Sequence, residues 1–146
     1  MTEGSDVRVR LIQAEHERAL AAAIRLEVFV REQGIPLEAE FDPDDFSAVH
    51  ALAFDRGCAV GTARLVLAAD RARLGRLAVL EKHRHQKVGT ALVRFLCDYG
   101  RSCGVRRIVA HAQVRALPFY LGLGFAVTSS IFDEDGIPHC RVEVEL

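Results

Sequence analysis

The feature that most constrains the fold is a strand, a basic loop, an amphipathic helix and a second strand in immediate succession. The stretches RLGRLAVL (residues 73–80) and RIVAHA (residues 107–112) are predicted strands. Between them, apolar residues at helical spacing predict a helix from about Val88 to Cys103, which Gly104 ends. A helix that connects two strands in this way is a crossover, and crossovers join parallel neighbours. The sequence therefore predicts a parallel pair formed by the fourth and fifth strands.

The rest of the chain divides into strands and helices by the same patterns. Alternation predicts a first strand at Val7, Val9 and Leu11, and helical spacing predicts a helix from Glu15 to Arg31 that Gly34 and Pro36 end. The other predicted segments are a hairpin of VHALAFD and AVGTARLVLA across Arg56-Gly57, an acidic loop or short broken helix at LEAEFDPDDFSA, a short helix from Arg115 to Leu121, and a final hairpin of FAVTSSIF and CRVEVEL through the turn DEDG.

Length and composition predict one soluble domain that spans residues 1–146. Half of the residues are hydrophobic and 27% are charged, which is ordinary for a globular protein. A net charge of −1 argues against a general nucleic-acid binder. The first ten residues contain no apolar signal core, no apolar run could span a membrane, and the four cysteines lack CxxC spacing. We therefore expect a cytoplasmic protein with reduced, mostly buried thiols.

Basic residues crowd the start of the crossover helix, at Lys82, His83, Arg84, His85 and Lys87. A helix N-terminus already has unpaired N–H groups and partial positive charge, so this arrangement suits a small anionic ligand. A solvated basic loop that binds nothing is the alternative. The G-x-G-x-x-G of a dinucleotide-binding domain does not follow the first strand, which argues against that fold.

Four pieces of the sequence resemble a known family. In order along the chain they are EVFVREQGIP, GRLAVL, the HAQVRALPFYLGLGF stretch and FDEDGIPH. They resemble the ElaA-like branch of the GNAT superfamily of N-acetyltransferases, and the resemblance covers essentially the whole chain. It implies an α/β (α+β) GNAT acyltransferase fold, in which helices flank a mixed central sheet with splayed parallel strands four and five. It also implies acetyl-CoA as the cosubstrate.

The resemblance assigns most of the acetyl-CoA site to the fourth strand and the loop after it. The family loop R/Q-x-x-G-x-G/A corresponds to Arg84 through Gly89, with Lys87 in place of the first glycine. That lysine either weakens binding or compensates with its charge. The residues assigned to the cosubstrate are Leu77, Ala78, Val79, Arg84, His85, Gln86, Lys87, Val88, Gly89, Thr90, Gln113 and Tyr120. A backbone N–H near residues 77–79 would polarise the thioester carbonyl.

The catalytic candidates also come from matched positions. Tyr120 corresponds to the family tyrosine near the sulfur, and a phenol can donate a proton to a departing thiolate, although Tyr120 could instead be a core aromatic residue like Phe119. The candidates for the general base are His111, His139, Glu32 and His50, and each could equally be a packed or surface residue.

The acceptor is less constrained by the sequence. Arg76 would bind a substrate carboxylate or phosphate, whereas Asp45 and the carboxylates beside it would favour a cation, and His50 is a further candidate contact. His83 and His85 are too close together for one helical face, so we expect no metal site.

The resulting prediction is acetyl transfer to a primary amine of a small molecule or peptide by direct attack in a ternary complex. The alternative is a regulatory module that binds acyl-CoA without turnover. We expect no nucleic-acid or membrane partner, and a homodimer through the terminal hairpin is compatible with the sequence.

Overall fold

The computed structural model describes residues 6–146, so the first five residues of the predicted domain lie outside the described part. The strands are β1 (Val7–Leu11), β2 (Val49–Asp55), β3 (Cys58–Ala68), β4 (Arg71–Val79), β5 (Arg107–Gln113), β6 (Ala126–Val127), β7 (Phe132–Glu134) and β8 (Ile137–Glu145). The α-helices are α1 (Glu15–Arg25), α2 (Leu37–Glu40), α3 (Asp44–Ser47), α4 (Val88–Ser102) and α5 (Leu117–Gly122). A π-helical segment, Leu26–Glu32, continues α1, and 3₁₀ turns lie at Glu81–His83 and Val114–Ala116.

The strands form a mixed sheet in the order β1-β2-β3-β4-β5-β8-β6, and β7 also pairs with β8. Among the described pairs, β4 with β5 is the only parallel one, and α4 is the crossover between these strands. The parallel pair and the crossover are therefore confirmed. The arrangement is a mixed α+β fold with helices on both faces of the sheet, as the resemblance implied.

Two apolar layers lie on opposite faces of the sheet. On one face, Val88, Leu92 and Leu96 of α4 pack over buried strand residues such as Ala51. On the other face, α1 packs on Leu52, the next residue of β2. Successive strand residues point to opposite faces, which explains how neighbours serve different cores. Buried positions with i, i+3 and i+4 spacing give each helix one apolar face.

Turn residues account for most of the predicted boundaries. Arg56 and Gly57 both have positive φ (52° and 84°), which is the geometry of a tight two-residue hairpin turn. Gly104, with φ of 88°, ends α4 as predicted. The acidic segment forms two short helices, α2 and α3, which confirms the prediction of a short broken helix.

Three predicted features are wrong in detail. The helix predicted from Glu15 to Arg31 is α-helical only as far as Arg25. The predicted strand FAVTSSIF is broken, because only its two ends, β6 and β7, pair with β8. All four cysteines are free thiols, but Cys58 and Cys103 are exposed. Within residues 6–146 no helix combines the length and apolar character that a membrane span requires.

Candidate active site

The site begins where two parallel strands separate. Strands β4 and β5 pair from Arg71 opposite Arg107 to Leu74 opposite Ala110, and no further. Strand β4 nevertheless continues for five residues, to Val79. A bulge causes the separation: the β3–β4 register shifts just after Gly75, and Arg76 has a φ of 51°. A bulge of this kind bends its strand, so the C-terminal ends of β4 and β5 diverge.

A cavity of about 1560 Å³ occupies the gap and the surface around it. One end is lined by the loop before α4 and the first turn of that helix. The middle is lined by Leu77, Ala78 and Val79, together with Gln113. Tyr120, His111 and side chains from the acidic segment also line the cavity. The cavity therefore connects the predicted cosubstrate loop with the predicted catalytic residues.

Two residues of the loop before α4 adopt the left-handed backbone conformation that usually requires glycine. Lys87 has φ 63° and ψ 23°, and His85 has a φ of 65°, so both occupy the left-handed region. The ladder of α4 begins with the amide of Ala91 donating to the carbonyl of Lys87 at 3.0 Å. The amides of Val88, Gly89 and Thr90 consequently have no acceptor within the helix. The turn thus presents a row of free N–H groups to the cavity, which is the donor chemistry that a pyrophosphate requires.

Arg84 and Glu32 brace this end of the site. The Nε of Arg84 donates to the carbonyl of Val79 at 2.9 Å, and its Nη2 donates to Glu32 at 2.8 Å. Two of the nitrogens of the guanidinium therefore already donate to protein oxygens. Lys87 lines the cavity and makes no ion pair with another described residue, whereas Gln86 is outside the cavity lining.

Gln113 links the two sides of the gap. Its amide nitrogen donates to Gln33, just after the π-helical segment, at 2.8 Å, and its amide oxygen accepts from Arg115 at 2.9 Å. Both glutamines line the cavity. Strand β5 is thereby connected to the helical layer across the open end of the gap.

Tyr120 is almost completely buried, with 6% of its surface exposed, yet it lines the cavity. Its ring packs edge-to-face against Phe119 and Phe125 at centroid distances of 5.1 and 5.5 Å. Its hydroxyl has no hydrogen-bond partner among residues 6–146. Burial raises the pKa of Tyr120 to about 12, so the phenol keeps its proton at neutral pH. A rigid ring thus holds a proton donor that no other described side chain uses.

His111 and His139 lie beside a shared carboxylate. The Nδ1 of His111 is 2.9 Å from Oε1 of Glu134, and the Nε2 of His139 is 3.6 Å from Oε2 of the same residue. Phe132 packs between the two imidazoles, edge-on to His111 and stacked on His139. All of these except Phe132 line the cavity.

Comparison with known proteins agrees with this geometry. The model of the Acetyltransferase (GNAT) family matches residues 11–125, most of the chain. The chain belongs to the GNAT acetyltransferase family. GNAT acetyltransferases are acyl-CoA-dependent enzymes that act on amine acceptors, and the similarity to ElaA places this chain in the ElaA-like branch.

Three proteins illustrate the similarity. The uncharacterized N-acetyltransferase YjcF of Bacillus subtilis is 32% identical over 137 residues, 92% of this chain and 98% of its own. ElaA of Escherichia coli is 31% identical over 129 residues, 84% of each chain. The crystal structure of ElaA superimposes with a TM-score of 0.84 at 24% identity, covering 94% of this chain and 98% of ElaA. An acyl-CoA N-acyltransferase from Pseudomonas aeruginosa gives a TM-score of 0.81 at 25% identity, with 96% and 99% covered.

Two predicted substrate contacts of this GNAT chain lie outside the cavity lining. His50 is buried, and its Nε2 donates to the carbonyl of Asp45 at 2.9 Å. Burial lowers the pKa of His50, because the charged ring would lose its hydration. Asp45 accepts from Arg25 at 2.7 Å and from Arg64 at 2.8 Å. Neither residue is available to a substrate in this arrangement, and the same burial removes His50 from the candidates for the base.

Arg76 lines the cavity, but its guanidinium is bound to Glu40 and Asp42 of the acidic segment. Its Nε donates to the carbonyl of Glu40 at 3.0 Å, and its Nη2 donates to Asp42 at 3.2 Å. The hydrogen bond from Arg64 lowers the pKa of Asp42. Burial would raise the pKa of Asp45, but the hydrogen bonds from Arg25 and the Asp42 amide, with Arg64, hold it well below its usual range.

The charges of this network balance. Arg25, Arg64, Arg76 and Arg73 face Glu40, Asp42, Asp44 and Asp45 in successive ion pairs. Glu40 is 2% exposed, and burial raises its pKa even though Arg25 is close. Because these charges neutralise one another, they favour neither an anionic nor a cationic substrate. Their shared role is to fasten α2 and α3 onto β3 and β4.

Glu134, Gln33 and Arg64 were not predicted from the sequence. For Glu134 a signal was present: Asp-Gly is the preferred pair of a two-residue hairpin turn. Asp135 and Gly136 both have positive φ (54° and 78°), and Glu134 pairs with Ile137 across them. A two-residue turn in place of DEDG would have placed Glu134 in a strand beside His139.

Proposed function

We propose that the protein transfers the acetyl group of acetyl-CoA to a primary amine by direct attack in a ternary complex. The observation that carries this proposal is the continuity of one cavity from the free amides of α4, through the gap between β4 and β5, to Tyr120 and His111. A cavity of about 1560 Å³ has room for donor and acceptor at the same time. The known activity of the family supports the same reaction class.

The donor end of the cavity fits the cosubstrate. The amides of Val88, Gly89 and Thr90 and the Lys87 ammonium would bind the pyrophosphate. The edge of β4 at Leu77–Val79, which β5 leaves unpaired, would bind the pantetheine as an added strand does. Bound acetyl-CoA supplies the acetyl group as an activated thioester. A backbone N–H of residues 77–79 that donates to the thioester carbonyl would contribute about 2.7–4 kcal/mol.

The acceptor end supplies proton chemistry. Tyr120 holds a proton that it can donate to the departing sulfur. The imidazole of His111 can accept the proton that the amine loses. Holding both reactants in one site is itself worth about 7–11 kcal/mol in favourable cases. The paired charges around the acidic segment do not select one class of acceptor amine. Small amines, amino sugars, polyamines, peptide N-termini and lysine are all candidate acceptors.

An acceptor screen with acetyl-CoA at fixed pH tests this function. Thiol release is followed with each class of amine, and the acetylated product is confirmed by mass spectrometry. We expect at least one amine to raise thiol release well above the rate of acetyl-CoA hydrolysis. Longer acyl-CoA donors in parallel reactions define the acyl preference. Tight acetyl-CoA binding with no transfer to any acceptor would contradict the proposal and favour an acyl-CoA-binding regulatory module.

A further inference from the structure

Strand register brings His111, Glu134 and His139 together, and we call these three residues the imidazole–carboxylate cluster. His139 pairs with Gln113 of β5 on one side and with Phe132 of β7 on the other. His111 lies two residues before Gln113, and Glu134 two residues after Phe132, so the side chains share one face of the sheet. The carboxylate of Glu134 reaches both imidazoles, at 2.9 and 3.6 Å.

The hydrogen bonds of His139 determine where its protons lie. Its Nδ1 is 2.7 Å from the carbonyl oxygen of Ile137, which can only accept, so Nδ1 carries a hydrogen. In a neutral ring Nε2 would then present a lone pair to the Glu134 carboxylate at 3.6 Å. That contact is repulsive, and the ring is only 8% exposed, so water screens it little. A proton on Nε2 converts the repulsion into an ion pair.

The hydrogen bond of His111 to Glu134 leaves its Nε2 without a proton, unlike the Nε2 of His139. Its Nδ1 lies 2.9 Å from Glu134, and an ionised carboxylate only accepts, so Nδ1 donates. The Nε2 of the neutral ring is then a lone pair, and it has no hydrogen-bond partner among the described residues. His111 is 41% exposed and lines the cavity, so an acceptor amine can approach it.

We propose that Glu134 is a positioning residue that gives the two histidines different roles. It holds His139 as an imidazolium and fixes His111 in the Nδ1–H tautomer, with Nε2 as the general base. The hydrogen that His111 donates from Nδ1 to Glu134 leaves the lone pair of the ring on Nε2. This inference rests on the proposed acetyl transfer, because it names the base of that reaction. As the amine nitrogen forms its bond to the acetyl carbon, its N–H bond breaks and the proton passes to Nε2 of His111.

The neighbouring charged groups leave this assignment intact. They are Asp133 and Asp135 in the hairpin turn, Arg115 after β5, and Arg141 on β8. Arg141 is paired with Glu143 at 3.4 Å, and Arg115 donates to Gln113. In residues 6–146, none of the four forms an ion pair with a member of the imidazole–carboxylate cluster.

Histidine NMR on the full chain tests the assignment independently of turnover. Long-range ¹H–¹⁵N correlation spectra distinguish the two tautomers and the imidazolium. At neutral pH we expect His111 as the Nδ1–H tautomer and His139 protonated at both nitrogens. In Glu134→Gln, the amide oxygen still accepts from His111 while the amide nitrogen donates to His139. His139 should then lose its proton at Nε2, because that nitrogen becomes the acceptor of the amide hydrogen.

Steady-state kinetics of His111→Asn and Glu134→Gln provide the second measurement. His111→Asn should lower kcat by about 10²–10⁴-fold, the usual contribution of a general base. Glu134→Gln should change the pH profile of kcat/KM with a smaller loss of kcat. Glu143→Gln is the matched control, because it removes a carboxylate from β8 outside the cavity, and it should change neither spectrum nor profile.

The outcomes separate the inference from the function. A neutral His139 in the unmodified protein, or an imidazolium that persists in Glu134→Gln, overturns the role given to Glu134. An active enzyme in which His111→Asn keeps full turnover also overturns it. The expected spectra in a protein that acetylates no amine would support the protonation states and overturn the proposed function alone.

Discussion

Burial keeps Tyr120 protonated, which suits it to donate a proton to the departing thiolate. Two aromatic rings, those of Phe119 and Phe125, pack against it, and its raised pKa keeps the proton in place. We expect Tyr120→Phe to lower kcat by about 10²–10⁴-fold, because general-acid assistance is typically worth that much. Acetyl-CoA affinity should change little, since the variant keeps the ring. Steady-state kinetics with any accepted amine, together with a thermal melt, measure both effects.

Tyr99→Phe is the matched control for Tyr120. Tyr99 is the other tyrosine of the chain, lies on α4 and is not part of the cavity lining. It should keep full turnover. If Tyr120→Phe loses only thermal stability and keeps its turnover while chemistry limits the rate, Tyr120 is a core residue and solvent protonates the thiolate.

Lys87 shows a conflict between backbone shape and charge. Its left-handed conformation costs a non-glycine residue about 1–2 kcal/mol, which glycine avoids. Its ammonium nevertheless faces the cavity without an ion-pair partner in the described part of the chain. We expect Lys87→Gly to keep or raise the melting temperature and to weaken acetyl-CoA binding several-fold at low salt, an effect that disappears at high salt. Calorimetric titrations at two ionic strengths measure this.

The control for Lys87 is Lys82→Ala. Lys82 lies in the same basic stretch but outside the cavity lining. Its removal should leave acetyl-CoA affinity nearly unchanged. Equal or tighter binding by Lys87→Gly at every salt concentration would mean that the lysine merely occupies a tolerated position.

Residue roles were predictable from the sequence only where a matched motif carried them. Tyr120 and Gln113 lie in the cavity because the order of strands and helices puts them there. Asp45 and His50 do not, because ion pairing and burial depend on partners in distant segments, such as Arg25. A list of charged residues contains no information about which charges cancel.

At the scale of elements, the packing of α4 against α5 leaves no room for a side chain at Gly89. A Cβ at Gly89 would lie 3.3 Å from Cζ of Phe119 on α5, so a larger residue must displace that ring into the cavity. We expect Gly89→Val to lower acetyl-CoA affinity by at least about tenfold while the fold survives. Titration calorimetry and circular dichroism measure the two effects.

A second substitution tests the steric cause. Phe119→Ala in the Gly89→Val background removes the ring that the valine displaces, and it should restore part of the affinity. Gly122→Val is the matched control, because nothing lies within 4 Å of a Cβ at Gly122. Unchanged affinity in Gly89→Val would exclude this helix start from the cosubstrate site.

Elements were more predictable than residues, with one instructive failure. The crossover and the hairpin at Arg56-Gly57 follow from periodicity and turn chemistry, which act locally. The π-helical segment from Leu26 to Glu32 does not, because apolar residues at Val28 and Phe29 fit an α-helix equally well over so short a stretch. Such segments often occur at functional sites, and this one contributes Glu32 to the cavity.

For the whole molecule, His50 couples stability to pH. Its folded-state pKa lies below the unfolded value of 6.5, so the unfolded chain binds more protons between the two values. The stability that neutral His50 contributes is complete above pH 6.5 and is lost as the pH falls toward the folded pKa. We expect the free energy of unfolding to decline less over this window in His50→Gln, whose amide can still donate to Asp45. Urea titrations from pH 7.5 to 5 measure this.

The comparison for this prediction is His16→Gln, which removes an exposed histidine. That variant should show the same decline with pH as the unmodified protein. Parallel curves for His50→Gln and the unmodified protein would assign the decline to other groups. At lower pH, protonation of Asp42 and Asp45 should destabilise all three proteins, because their folded pKa values lie below the unfolded ones.

The short β4–β5 ladder makes the sheet a pair of plates joined by a narrow hinge. One plate is β1 to β4, and the other is β5 with β8, β6 and β7. Four residue pairs join them, ending at Leu74 and Ala110, and Asp70 ties down the closed end by accepting from the amide of Arg106 at 2.6 Å. Strand β4 extends five residues beyond the ladder, about 16 Å of lever arm. The width of the gap at its open end therefore depends on contacts outside the ladder, such as the hydrogen bond from Gln113 to Gln33.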